Sequence, residues 1–220
     1  MTVETGTGQT VLIIDDHPLF RRGVSQLLSM DPVFLVVGEA ASGKDGYKLA
    51  AALSPDIILL DLDMKDMDGI QTLETIRAND IDSRIIVLTV SDNEEHVVNA
   101  LRAGADGYLL KDMEPEDILA SLVMAARGHV VLTDRIIGML AHALRPDAST
   151  RALDRTGLTK REQGILVCIA QGKSNKLIAR ELQIAEGTVK VHVKHLLKKL
   201  HLRSRVEAAV WAVEQSRRDL

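Results

Sequence analysis

Aromatic residues make up only 2% of this 220-residue chain. Its cores must therefore be aliphatic, and it lacks the exposed rings on which single-stranded nucleic acid stacks. Cysteine occurs once, at Cys168, which excludes a disulfide framework and a cysteine-based zinc cluster. Its neighbours Ile165, Leu166 and Ile169 mark it as small core packing. No apolar run reaches transmembrane length. Met1 to Gln9 lack the basic flank and apolar stretch of a signal peptide, and the two observations together predict a cytoplasmic location. What remains is an ordinary globular composition, 46% hydrophobic and 26% charged, in a chain long enough for two domains with separate cores.

The net charge of −4 conceals an asymmetry. Residues 1–128 carry 22 acidic and 10 basic side chains, a net of −12, whereas residues 151–220 carry 7 acidic and 15 basic ones, a net of +8. A basic block joined to an acidic one is the expected footprint of a DNA-binding module tethered to a module that does not bind DNA.

Short aliphatic runs alternate with helical patterns through the first half. Val11–Ile14, Val33–Gly38, Ile57–Leu60, Ile85–Leu88 and Gly107–Leu110 read as strands, and segments near 18–30, 43–53, 69–78, 94–103 and 115–127 read as helices. Consecutive apolar positions suit strands buried on both faces. Five βα units in this length predict a flavodoxin-like doubly wound domain with a five-stranded parallel sheet, spanning residues 1–128. A linker, 129–156, follows, with a possible helix over Asp134–Leu144 and a polar, Pro-containing stretch after it. Residues 157–220 read as four helices without a strand. Thr159 and Glu162 have capping-box spacing at the first of them, and short turns near Gly172–Ser174 and Ile184–Gly187 give helix-turn-helix geometry.

The ends of the predicted strands carry the unusual chemistry. Asp15 and Asp16 follow the first strand, Asp61 the third, Thr89 ends the fourth, and Lys111 follows the fifth. One aspartate at a strand end is most often a helix cap or a loop residue. Several carboxylates converging on one crevice are costly unless a hard cation such as Mg²⁺ neutralises them. A carboxylate can attack a phosphoryl donor when a metal and a lysine offset the charge on the transferring oxygens.

These residues stand in the motifs Ile14-Asp15-Asp16-His17-Pro18, Leu60-Asp61-Leu62-Asp63-Met64, Leu88-Thr89 and Gly107-Tyr108-Leu109-Leu110-Lys111. As a set they resemble the receiver domain of two-component response regulators. The resemblance implies that Asp61 accepts a phosphoryl group from a sensor histidine kinase. It implies a Mg²⁺ site formed by Asp15, Asp16, Asp61 and the backbone carbonyl of Asp63, with Lys111 on the phosphoryl oxygens. Thr89 would donate its hydroxyl to the phosphoryl group and Tyr108 would change rotamer with it. The chain departs from the family at Met64-Lys65-Asp66, where Met-Pro followed by Gly is usual; losing the proline loosens that loop. The Asp61-Leu62-Asp63 spacing also resembles the nucleophile motif of haloacid-dehalogenase-type phosphatases, with Asp63 as general acid. That fold needs its acidic pair late in the chain, whereas here Asp15 and Asp16 come first.

In the basic half, Glu186–Leu200 sorts into two faces at about 100° per residue. Val189, Val193, Leu196 and Leu200 share a narrow apolar stripe, while Lys190, Val191, Lys194 and Lys198 lie on another arc. Such a helix suits the DNA major groove, although a lysine-rich face on an isolated helix is more often merely solvated. The strings Leu158-Thr159-Lys160-Arg161-Glu162, Gly172-Lys173-Ser174-Asn175-Lys176 and Gly187-Thr188-Val189-Lys190-Val191-His192-Val193-Lys194 resemble the LuxR-type helix-turn-helix of the NarL/FixJ family, and are especially close to its nitrate/nitrite-responsive members. This implies base contacts from Lys190, Val191 and Lys194, and phosphate contacts from Lys176, Thr188, Lys198 and Arg203. It also implies a homodimer on double-stranded DNA, with RNA polymerase as a further partner, and a transcription regulator rather than an enzyme. His192, His195 and His201 have no cysteine or carboxylate cluster at ligand spacing and read as surface or DNA-proximal residues.

Overall fold

The computed structural model describes residues 8–65, 68–79, 81–133, 135–138, 157–202 and 204–218. Its first part alternates strand and helix: β1 (Gln9–Ile14), α1 (Pro18–Ser29), β2 (Phe34–Ala40), α2 (Gly43–Leu53), β3 (Ile57–Leu60), α3 (Gly69–Ala78), β4 (Arg84–Thr89), α4 (Glu94–Ala103), β5 (Gly107–Leu110) and α5 (Pro115–Ala126). Strands β3 and β5 and all five of these helices fall where the apolar periodicity predicts, within a residue or so at the ends. The sheet order is β2-β1-β3-β4-β5-β6, because a two-residue strand, β6 (Val131–Leu132), pairs in parallel with β5 and makes six strands rather than the expected five. Two residues are too few for a hydrophobic period to reveal.

Every residue of β3 and β5 is buried, as are Val11–Ile14 of β1 and Ile85–Thr89 of β4, consistent with strands covered on both faces. The edge strand β2 instead exposes Leu35. The order reverses between β2-β1 and β1-β3, and this switch point opens a crevice at the carboxyl ends of β1 and β3. There Ile14 is in register with Leu60, and the Asp61 N–H donates to the Ile14 carbonyl at 2.9 Å. Asp15 and Asp61 are thus the next residues out on adjacent strands.

The helical part comprises α6 (Lys160–Ala170), α7 (Asn175–Leu182), α8 (Glu186–Leu200) and α9 (Arg205–Arg218). Its core holds Ile165, Leu166, Ile169, Ile178, Val189, Leu196 and Trp211, with Cys168 among them. Thr159 and Glu162 form the expected capping box. Gln183, in the left-handed region at φ 53°, ends α7 and turns the chain into α8. Residues 135–138 are helical; the rest of the segment expected over Asp134–Leu144, the polar linker and Arg203 lie outside the described residues.

Candidate functional site

Backbone pairing carries the acidic side chains to one point. Asp15 and Asp61 are almost fully buried, at 3% and 2% exposure, and Lys111 Nζ bridges them, 2.8 Å from Asp15 Oδ2 and 2.7 Å from Asp61 Oδ2. The lysine is held in turn. Its N–H donates to the Thr89 carbonyl at 2.8 Å, and its ammonium lies 4.6 Å from the centre of the Phe20 ring, within cation–π range. The Arg21 guanidinium donates to the Asp15 carbonyl at 2.6 Å and pairs with Glu39 at 3.3 Å, fixing the turn into α1.

Five of the six oxygens on Asp15, Asp16 and Asp61 accept a hydrogen bond. Asp15 Oδ1 takes the His17 N–H at 2.7 Å and Oδ2 takes Lys111; Asp61 Oδ1 takes the Asp63 N–H at 3.3 Å and Oδ2 takes Lys111. Asp16 Oδ2 takes the Lys65 N–H at 3.2 Å. Asp16 Oδ1 is the exception: it is buried without an aligned hydrogen bond, although His17 Nδ1 stands 2.9 Å away. The contact is not a directed hydrogen bond, and the oxygen keeps an open lone pair. Ligand atoms of Asp15, Asp16, His17 and Asp61 all fall within 4.8 Å of one another. Three carboxylates with one unsatisfied oxygen fit a hard divalent cation, so Asp15, Asp16 and Asp61 could hold Mg²⁺.

Asp63 is drawn in differently. Its side chain is exposed and accepts from the Thr89 hydroxyl at 3.4 Å, while Thr89 itself is fully buried and receives the Ser91 N–H at 3.4 Å. Tyr108 is completely buried on β5. The loop after Asp61 closes tightly on α3, since a Cβ on Gly69 would sit 2.3 Å from the Asp61 carbonyl oxygen and 2.5 Å from Leu62 Cα. Only glycine permits that approach.

On α8, Val189 and Leu196 are buried and Val193 and Leu200 pack against the same core, as the stripe predicts. Lys190, Val191, Lys194 and Lys198 are exposed, as are Thr188 and Lys176; Val191, at 54%, is a large apolar side chain left in water amid lysines. The neighbouring Lys199 is exposed as well, but its Nζ reaches the buried Glu162 Oε2 at 2.7 Å. Burial alone would raise the Glu162 pKa. Hydrogen bonds from Lys199 and from the Thr159 N–H and hydroxyl, with the Lys199 charge, outweigh it and hold the carboxyl down at about 2.

Residues 11–123 match the response regulator receiver domain, and residues 156–212 match the luxR family of bacterial regulatory proteins. The nitrate/nitrite response regulator protein NarL of Escherichia coli K12 is 56% identical over 94% of this chain and 95% of its own length. NarP of the same organism is 46% identical over 93% and 94%. Among solved structures, the response regulator ChrA of a heme-sensing two-component system aligns over 96% of this chain and 98% of its own, at 32% identity and a TM-score of 0.51. The chain belongs to the LuxR-type response regulators. It is a phosphorylation-dependent transcription regulator of a two-component system, close to the nitrate/nitrite regulators.

In this response regulator the strand-end motifs carried most of the site but not its supports. His17 was visible only as the neighbour of an aspartate pair. Phe20, Arg21 and Glu39 depend on side-chain directions that no motif encodes, and the ion pair of Lys199 depends on Glu162, 37 residues away in sequence. Among the described residues, no helix is long and apolar enough to cross a membrane.

Proposed function

We propose that Asp61 is the phosphoryl acceptor of this regulator and that the exposed face of α8 reads double-stranded DNA. The supporting observation is the Lys111 bridge: a buried ammonium already spans Asp61 and Asp15 where transferred oxygens would need a counter-charge. Asp61 Oδ1 has only one long hydrogen bond and is the oxygen available to attack. The phosphoryl group would come from a sensor histidine kinase, Lys111 would follow its oxygens, Thr89 would turn its hydroxyl from Asp63 to them, and Tyr108 would change rotamer in response. Asp15, Asp16, Asp61 and the Asp63 carbonyl would hold Mg²⁺, which when bound neutralises charge on the transferring group.

Lys190, Val191 and Lys194 would contact base edges, with Val191 against a thymine methyl. Lys176, Thr188, Lys198 and Arg203 would contact phosphates. Helix-turn-helix proteins commonly read paired half-sites as dimers, which supports a homodimer on DNA that acts on RNA polymerase in the cytoplasm. Likeness to NarL and NarP supports control of nitrate/nitrite-responsive genes. The working division is a receiver over 1–128, a linker over 129–156 and a DNA-binding domain over 157–220. The chain would serve as a regulator rather than a turnover enzyme.

The test is acetyl-phosphate labelling of the full-length chain followed by footprinting on genomic DNA. Asp61→Asn is expected to abolish labelling and the phosphate-dependent footprint; labelling that persists on another residue overturns the acceptor assignment. Steady hydrolysis of a phosphate ester, lost in Asp63→Asn, would point to the phosphatase chemistry instead.

A further inference from the structure

Lys65 is exposed, and its contribution to the acidic site comes from its peptide rather than its charge. The Lys65 N–H donates to Asp16 Oδ2 at 3.2 Å across two loops 49 residues apart in sequence. The other oxygen of that carboxylate, Oδ1, is the buried one that lacks an aligned hydrogen bond. We propose that the Lys65 peptide N–H is a positioning group for the cation site: by holding Oδ2 it fixes the rotation of the Asp16 carboxylate and leaves Oδ1 turned inward for a divalent cation. This rests on the reading that Asp15, Asp16 and Asp61 hold such a cation.

A carboxylate on a one-carbon stem turns about two torsions, and a single directed bond to one oxygen restricts both. The donor must itself be held. Met64 and Gly69 each donate a backbone N–H to the Leu62 carbonyl, at 3.1 and 3.2 Å, and Gly69 lies against the Asp61 peptide; together they curl the segment so that the next N–H points back to the β1–α1 loop. A proline at 65 would have no N–H to give.

Two substitutions at one position separate the peptide from the side chain. Lys65→Ala keeps the N–H and removes a cation near an acidic site, so full-length Lys65→Ala should bind Mg²⁺ as tightly as the parent or slightly better by calorimetric titration. Lys65→Pro removes the N–H and should weaken binding by roughly three- to tenfold, the worth of one ordinary net hydrogen bond. Lys65→Pro that binds as the parent does, or Lys65→Ala that loses as much as Lys65→Pro, overturns the proposal. Amide hydrogen exchange gives a readout independent of both cation and proline: the Lys65 N–H should be protected in the parent and exchange faster in Asp16→Ala. Equal exchange in the two overturns the bond on which the proposal stands. A parent chain that takes up no Mg²⁺ overturns the cation reading and this proposal together.

Discussion

Lys111 Nζ lies 2.7 Å from Asp61 Oδ2, and both side chains are nearly inaccessible to water. The same ammonium reaches Asp15 at 2.8 Å, so one positive charge holds two buried carboxylates in place. Removing one partner of such a pair leaves the others without compensation, a loss of about 3–5 kcal/mol. Lys111→Met should therefore lower the melting temperature of the metal-free protein markedly. Added Mg²⁺ should recover part of that loss, because a ligand that binds only the folded state stabilises it. The check is thermal unfolding of parent and variant with and without MgCl₂. The rise on adding metal should be larger in the variant, and equal rises would show that lysine and metal do not share the same carboxylates.

Glu162 sets an acid limit on the helical unit. Its carboxyl is held at about 2 against an ordinary 4.5, so its folded-state pKa is depressed. The stabilisation is complete above about pH 4.5 and is lost as pH falls from there towards 2. Trp211, the sole tryptophan of the chain and a member of this core, is a local probe. Urea unfolding followed by its fluorescence should show stability falling across that window. In Glu162→Gln the fall should be shallower, with stability at neutral pH already about 1–3 kcal/mol lower.

Where the sequence was legible, period and chemistry coincided. Ile57–Leu60 and Gly107–Leu110 are four-residue apolar runs closed on the right by Asp61 and Lys111, and both strands form with those bounds. The apolar stripe of α8 carried similar information, because Val189 and Leu196 have no polar alternative to burial. The charged residues were less legible. Lys198 and Lys199 are chemically identical neighbours at the end of α8 and both are exposed, yet Lys199 pairs with the buried Glu162; only the approach of α6 marks it out. Lys65 shows the same limit: local pattern marks only a missing proline, and the partner of its peptide N–H, Asp16, stands 49 residues away in sequence. Pairings between distant segments are tertiary facts, and local pattern does not carry them.

Gly164 lies within α6 with open space where a Cβ would stand, and its φ is not in the left-handed region. Nothing in its surroundings calls for glycine. Alanine there adds no clash and reduces the freedom of the unfolded chain, so Gly164→Ala should stabilise the helical unit by about 0.5–1 kcal/mol. Urea unfolding read at Trp211 would register the gain as a higher midpoint with an unchanged slope. A lower midpoint would mean that this position tolerates no side chain.

Three lysines within six residues of α8 should give three different phenotypes. Lys194 and Lys198 are exposed on the arc that faces away from the core, whereas Lys199 is engaged with Glu162. A lysine on a base edge contributes discrimination, so Lys194→Ala should weaken specific binding by about 1–3 kcal/mol and relax preference at one position of the site. A lysine on a phosphate contributes released counterions. Lys198→Ala should therefore reduce the slope of log K against log salt by roughly 0.9 while weakening all sequences alike. Lys199→Ala should leave that slope unchanged and lower the unfolding midpoint at Trp211, because its partner is a buried carboxylate. Titrations on one footprinted duplex at several salt concentrations separate the three. A changed salt slope in Lys199→Ala, with unaltered stability, would place the DNA on a different face of the helix.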